Sequence, residues 1–410
     1  MSRDSRGPGG RIDRRGFLER GAGSLAAAAA LAGGSGAEAQ APDKPNTLAK
    51  LPTRPLGRSG AQVTILNLGT WLSPGGNRLL RFAWANGVRY FDTARSYGSE
   101  PMIATWLNAM PGARKDLFLV TKDQPDTPLE LIAMLDHRLA ALQTDYVDAI
   151  LLHAVGDRDF GVESAWLTGR EFWQVADAIR NSGKARLVGF STHHPARAAL
   201  LQAAAQGGFW DMIMLQSNPW MARDAELNRA LDACYKRGIG LVSMKQVAGN
   251  MNLDDIAMAL PDLTAKGLTP YQALLHAIWT DERFASVCVS MRNTDQIREN
   301  AAAARAFQPV TKAQLDRLRD ACIAAGPTMC ASCDGRCSRA GGTDAELGNL
   351  TRFLTYHEHH GNRAEARRLY AGLAHAARDW SAADLDAARS ACPNHLDFAR
   401  LLPRANELLG

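Results

Sequence analysis

Short apolar, β-branched runs alternate along the chain with longer segments whose apolar residues recur every three or four positions. The runs fall at Val63–Leu68, Val88–Phe91, Leu117–Thr121, Val147–Leu152, Leu187–Phe190, Met212–Leu215, Gly240–Met244 and Val287–Ser290. Between them, segments such as Leu129-Ile132-Ala133-Leu135-Leu139-Leu142 and Phe172-Val175-Ala176-Ile179 carry helical spacing. Eight buried strands, each followed by a helix, predict an α/β chain folded as a (β/α)₈ TIM barrel. No strand is followed by a Gly-x-Gly-x-x-Gly turn, which argues against a Rossmann cofactor site.

In such a barrel the chemistry collects at the C-terminal ends of the strands. Those ends read Gly69-Thr70-Trp71, Asp92-Thr93-Ala94, Lys122-Asp123, His153, Ser191-Thr192-His193, Gln216-Ser217-Asn218, Lys245-Gln246 and Met291-Arg292. Polar groups pinned to strand ends need a reason beyond solubility, since loop polarity by itself would be scattered. Asp92, Lys122 and His153 close the second to fourth strands, and Tyr97 stands in the loop between the first two of these. Together they compose an acid–base device. A buried ammonium beside a phenol favours phenolate and lowers its pKa from about 10. A carboxylate keeps the lysine charged, a neutral histidine aims a substrate carbonyl, and the phenol gives its proton to the developing alkoxide.

These phrases resemble the aldo-keto reductase family: Gly87-Val88-Arg89-Tyr90-Phe91-Asp92-Thr93-Ala94 leading to Tyr97-Gly98, then Val120-Thr121-Lys122, Asp145 to His153, and Gly189-Phe190-Ser191. The resemblance spans about Arg54 to Phe307. It implies a barrel that binds an extended nicotinamide cofactor across its strand ends, NADP(H) with NAD(H) as the alternative. Asp92, Tyr97, Lys122 and His153 would be the catalytic tetrad, with Tyr97 the proton donor to a small carbonyl substrate. On the cofactor side it implies contacts at Gly69, Thr70, Trp71, Ser191 and Gln216, stacking by Trp220, and a pyrophosphate contact at Lys245. Arg292 would reach a 2′-phosphate, and Gln296 and Asn300 the adenine. The family's Ser-Asn pair reads Ser191-Thr192 here, and no in-register tyrosine stands under the nicotinamide.

Both ends of the chain differ from the barrel. Near the start, Arg14-Arg15-Gly16-Phe17-Leu18 precedes a small apolar run, Ser24 to Ala32, and then Ala37-Glu38-Ala39. That pattern resembles a twin-arginine export signal cleaved after Ala39, which predicts passage through that export machinery and a periplasmic or extracytoplasmic location. The apolar run is too short and too rich in Ala and Gly to span a bilayer. From Cys330 the chain reads Cys330, Cys333, Cys337 and, after a helix-forming stretch, Cys392-Pro393. Thiolate triplets with a distant Cys-Pro are iron–sulfur vocabulary, and the tail resembles a ferredoxin-like extension that has kept one complete ligand set. One [4Fe–4S] cluster on Cys330, Cys333, Cys337 and Cys392, with a redox partner, is the reading. The C-x₂-C-x₃-C spacing is one residue longer than the ferredoxin pattern, so zinc or disulfides stay open. His357-Glu358-His359-His360 reads as a solvated helix end, and Cys234 and Cys288 as buried small hydrophobes.

The expected organisation is therefore a signal peptide over 1–39, a linker over 40–53, the barrel over 54–325 and a helical ferredoxin-like extension over 326–410. A net charge of +5, with arginines spread along the chain, excludes a nucleic-acid partner from consideration. With 46% hydrophobic and 22% charged residues, a large core is within reach. Two other functions remain: a redox sensor that holds nucleotide without turnover, and an electron-transfer protein working through the cluster.

Overall fold

The structure is a computed structural model that describes residues 50–71, 76–194, 196–217, 225–246, 261–265, 267–325, 330, 335–358, 363–392 and 395–410. Residues 48–410 make one compact unit. The export signal, Trp220 and Cys333 lie outside the described residues.

The first apolar run divides. Its start pairs back in an antiparallel hairpin, β1 (Thr53–Pro55) with β2 (Gln62–Thr64), and its end is the first barrel strand, β3 (Leu66–Gly69). The other barrel strands are β4 (Tyr90–Asp92), β5 (Phe118–Asp123), β6 (Val147–Leu152), β7 (Ala185–Thr192), β8 (Met212–Gln216), β9 (Gly240–Met244) and β10 (Phe284–Ser290). The eight strands β3 to β10 are parallel neighbours in chain order, and β10 pairs with β3 to close the barrel. The hairpin plugs the N-terminal end. Leu56 and Val63 join Tyr90, Phe118, Val120, Ala149, Leu151, Met212, Met214 and Val242 in the barrel's inner core. At Gly240 the backbone comes so close to the Leu56 side chain that a Cβ would sit 2.5 Å from it, so only glycine fits.

Alternation along each strand divides inner from outer residues. Along β6, Ala149 and Leu151 point inward, while Ile150 and Leu152 join the larger core between strands and helices. The same period of two decides the site. Tyr90 faces the barrel interior, so Asp92 does too; Phe118 and Val120 face it, so Lys122 does. Asp92 is in register with Val120, which places Lys122 one side-chain layer nearer the C-terminal mouth.

Beyond the barrel, helices Arg336–Ala340, Leu347–Glu358, Arg363–Ala371, His375–Arg378, Leu385–Ala391 and Phe398–Leu409 form a region with its own core, including Leu350, Phe353, Leu354, Phe398 and Leu402. The helix Leu347–Glu358 is buried over almost its whole length, because one side packs in that core and the other on the barrel. His357 is buried at its end, at 8% exposure, and corrects the expectation of a solvated helix terminus. Among the described residues, no helix is long and apolar enough to cross a membrane.

Candidate active site

Inside the mouth, the Lys122 ammonium donates to Asp92 Oδ1 at 2.6 Å and to the Thr93 carbonyl at 2.8 Å. Both side chains are almost fully buried. Burial works against the charge on Lys122, but Asp92 and Tyr97 outweigh it and its pKa is raised. Asp92 is pushed up by burial, against the pull of Lys122. Cys288, on β10, lies close to Asp92 and interacts with it, so it belongs to the site's wall as well as to the apolar core expected for it. Gly69 faces this thiol: a Cβ there would stand 2.9 Å from Cys288 Sγ.

Tyr97 ends a short 3₁₀ turn, Arg95–Tyr97, that Gly98 closes in the left-handed region (φ +66°). The turn sets the phenol over the lysine, with Lys122 Nζ 5.1 Å from the ring centre, and brings its hydroxyl to 3.5 Å from His153 Nε2. Here the outcome differs from the expected lowering. Burial raises the Tyr97 pKa to about 12, and the nearby Lys122 offsets only part of that. Tyr97 is therefore a protonated phenol at neutral pH, an acid poised beside a cation that would stabilise its conjugate base.

His153 leaves β6 with its N–H donating to the Asp123 carbonyl at 2.9 Å. Burial, followed by Lys122, Lys245 and Arg368, lowers its pKa to about 3. The imidazole is therefore neutral at neutral pH, with one ring nitrogen carrying a hydrogen and the other free to accept. Its ring signals in a histidine-resolved NMR titration are expected to stay constant between about pH 5 and pH 8. A midpoint near the ordinary value of about 6.5 would show that the site is far wetter than this geometry requires.

The residues expected on the cofactor side separate into two groups. Gln216 closes β8 with its Oε1 buried and without a hydrogen-bond partner among the described residues, an acceptor suited to the N–H of a ligand amide. Asn300 is buried in the helix Thr294–Arg305, Arg292 is exposed, and Trp71 is partly buried beside the mouth. Others have structural work. The Ser191 hydroxyl accepts from the Ala154 N–H (3.0 Å), and the Thr70 hydroxyl joins the Asp92 carbonyl and Ser99. Gln296 accepts from the Arg292 N–H at 2.7 Å, closing the turn before its helix. Lys245, whose backbone takes a left-handed conformation (φ +54°), donates to the Tyr356 hydroxyl at 2.8 Å. With a buried amide acceptor at one strand end and a lysine at the next, the residues present suit a nicotinamide dinucleotide.

A model of the family "Aldo/keto reductase family" matches residues 68–323. The chain belongs to the aldo/keto reductase family. With that membership goes the enzyme class, an NAD(P)H-dependent oxidoreductase. Among curated relatives, the L-glyceraldehyde 3-phosphate reductase of Escherichia coli O157:H7 is 24% identical over 334 residues, 67% of this chain and 94% of its own. The aldo-keto reductase family 1 member A1 of Bos taurus is 24% identical, over 63% of this chain and 87% of its own. An uncharacterized oxidoreductase of Bacillus subtilis, YrpG, is 26% identical, and the match covers 48% of this chain and 66% of YrpG. The crystal structure of an aldo/keto reductase from Brucella melitensis superposes with a TM-score of 0.54 at 22% identity, over 66% of this chain and 98% of that one. An aldo-keto reductase crystallised with NADPH gives 0.53 at 18% identity, over 66% of this chain and 88% of that one.

The C-terminal region reaches the same mouth. Arg352 Nη1 donates to the His193 carbonyl at 2.6 Å, just past the end of β7, and Tyr356 meets Lys245 one turn further along the helix. Gly348, one turn before Arg352, lies against two cysteines: a Cβ there would stand 3.5 Å from Cys330 Sγ and 3.9 Å from Cys337 Sγ. One helix face thus runs from the cysteines to the barrel mouth. Nothing in the sequence singles out Arg352 and Tyr356, because they lie more than a hundred residues from the strand ends they touch.

Proposed function

We propose that the protein is an NADP(H)-dependent reductase of an aldehyde or ketone, with Tyr97 as the proton donor. The reading rests on one observation: Asp92, Tyr97, Lys122 and His153 converge inside the barrel mouth as a buried ion pair, a protonated phenol and a neutral imidazole. A reduced nicotinamide, when bound, would supply the hydride, a proton with two electrons, that the carbonyl carbon needs. The His153 N–H orients the carbonyl oxygen, and Tyr97 gives that oxygen its proton as charge develops. Lys122 stabilises the phenolate left behind, Asp92 holds the lysine in place, and the phenolate is reprotonated from solvent. Gln216 would accept from the carboxamide and Lys245 would face the pyrophosphate. The test is oxidation of NADPH by the purified full chain with 4-nitrobenzaldehyde. Tight nucleotide binding with no turnover on a panel of aldehydes and ketones would favour the sensor instead.

For the tail, the proposal is one [4Fe–4S] cluster on Cys330, Cys333, Cys337 and Cys392. Cys330 and Cys337 share the side of Gly348, and Cys337 and Cys392 lie in one buried apolar cluster with Cys330 packed against it. Among the described residues no three metal-ligating groups converge. Anaerobic purification with iron, sulfide and zinc analysis is expected to return about four irons per chain, as that cluster type holds. Iron-free protein with bridged cysteines would refute the cluster. The further proposal of twin-arginine export to the periplasm is supported by Arg14-Arg15 and the small apolar run after them. Replacing both arginines by lysine should retain the protein in the cytoplasm; unchanged export would refute that route.

A further inference from the structure

Arg352 is 4% exposed, and only one of its nitrogens is satisfied, by the His193 carbonyl. Its Nε and Nη2 are buried with no hydrogen-bond partner among the described residues. Those two atoms form the side-on edge of the guanidinium, whose parallel N–H groups match the paired oxygens of a carboxylate or phosphate. Buried donors left unmatched are costly, and native proteins rarely keep them without a use.

The surroundings point the same way. Asp157 is buried nearby with both carboxylate oxygens unmatched; it lies 3.2 Å from His193 Nδ1, and no hydrogen bond joins it to Arg352. Arg352 and Asp157 are thus buried within electrostatic reach of each other, each with unmatched polar atoms among the described residues. Lys245 and Arg352 both act on Asp157 and on His193, and Lys245 acts on His153 as well. The cluster therefore adjoins the catalytic histidine.

We propose that Arg352, carried in from the C-terminal region, forms with Lys245 a binding site at the barrel mouth for an anionic group of the ligand, a carboxylate or a phosphate. The anion comes either from the carbonyl substrate or from the dinucleotide. In both cases the C-terminal helices complete the active site instead of standing apart from it. The inference deepens the reductase reading and rests on it for the identity of the ligand.

The test uses the full chain and the variants Arg352→Met and Arg352→Lys. NADPH and benzoate binding are measured by calorimetry, and turnover is compared for 4-carboxybenzaldehyde and the neutral 4-nitrobenzaldehyde. If the substrate brings the anion, Arg352→Met should raise KM for the carboxylated aldehyde about tenfold or more, leave the neutral one within about twofold, and weaken benzoate. If the dinucleotide brings it, NADPH affinity should fall about tenfold and both aldehydes should suffer alike. Arg352→Lys, which keeps the charge and loses the fork, should fall between. Should Arg352→Met fail to fold, Arg352→Lys carries the same comparison. NADPH, benzoate and the aldehyde ratio all unchanged within about twofold in a folded variant would overturn the proposal. A wild type that reduces neither aldehyde removes the reductase reading alone, because the two binding titrations still test the anion site.

Discussion

Replacing Tyr97 by Phe is expected to lower kcat for carbonyl reduction by about 10²- to 10⁴-fold, the range for loss of a positioned general acid. The effect should fall on kcat, since on the proposed mechanism the phenol delivers a proton late in the reaction. NADPH affinity should be nearly unchanged. Stability should fall by no more than about 1 kcal/mol, because the hydrogen bond that this change removes, 3.5 Å to His153, is long. Steady-state kinetics, nucleotide titration and thermal unfolding of the same preparation read all three. A Phe variant that keeps wild-type kcat would remove Tyr97 from the mechanism. The pH profile offers a further check with a definite sign. On the proposed mechanism reduction needs the protonated phenol, which predominates below its pKa of about 12, so any alkaline loss of rate due to Tyr97 lies well above neutrality.

The second large effect is on folding. Lys122→Met should destabilise the protein by about 3–5 kcal/mol, because it leaves Asp92 buried without its counter-ion. Among the described residues Asp92 Oδ2 already has no hydrogen-bond partner, so the remaining carboxyl would gain little help from its neighbours. Protonation of Asp92 relieves part of that cost, so the loss should shrink as pH falls and the carboxyl becomes neutral. Changing both partners to apolar residues, Asp92→Leu with Lys122→Met, should recover most of the stability and no activity. Urea unfolding of the single and double variants separates the two contributions. A single variant as stable as wild type would mean that the ion pair contributes nothing to the fold.

The contrast between these two positions explains what could be read in advance. Asp92 and Lys122 were legible because the period of two along a strand carries them inward whatever the rest of the chain does, and both follow apolar residues of the same parity, Tyr90 and Val120. The splitting of the first apolar run was not legible, since Val63 and Leu68 are equally apolar and only the hairpin's return distinguishes them. The sign of the Tyr97 shift was misjudged for a related reason. The chain places a lysine near a phenol, but how deeply the phenol is enclosed depends on the packed mouth, and enclosure outweighs the cation.

Local pattern, then, determined the barrel, its eight strands and the four groups at its mouth, because strand parity and strand-end position are short-range properties of the chain. Tertiary structure alone decided what meets those groups from far away. The Ser191 hydroxyl turned to the backbone at Ala154, Lys245 was taken by Tyr356, and Arg352 was set down beside His193 with an edge unmatched. Such contacts join residues distant along the chain, and no periodicity within either segment encodes the packing of one on the other.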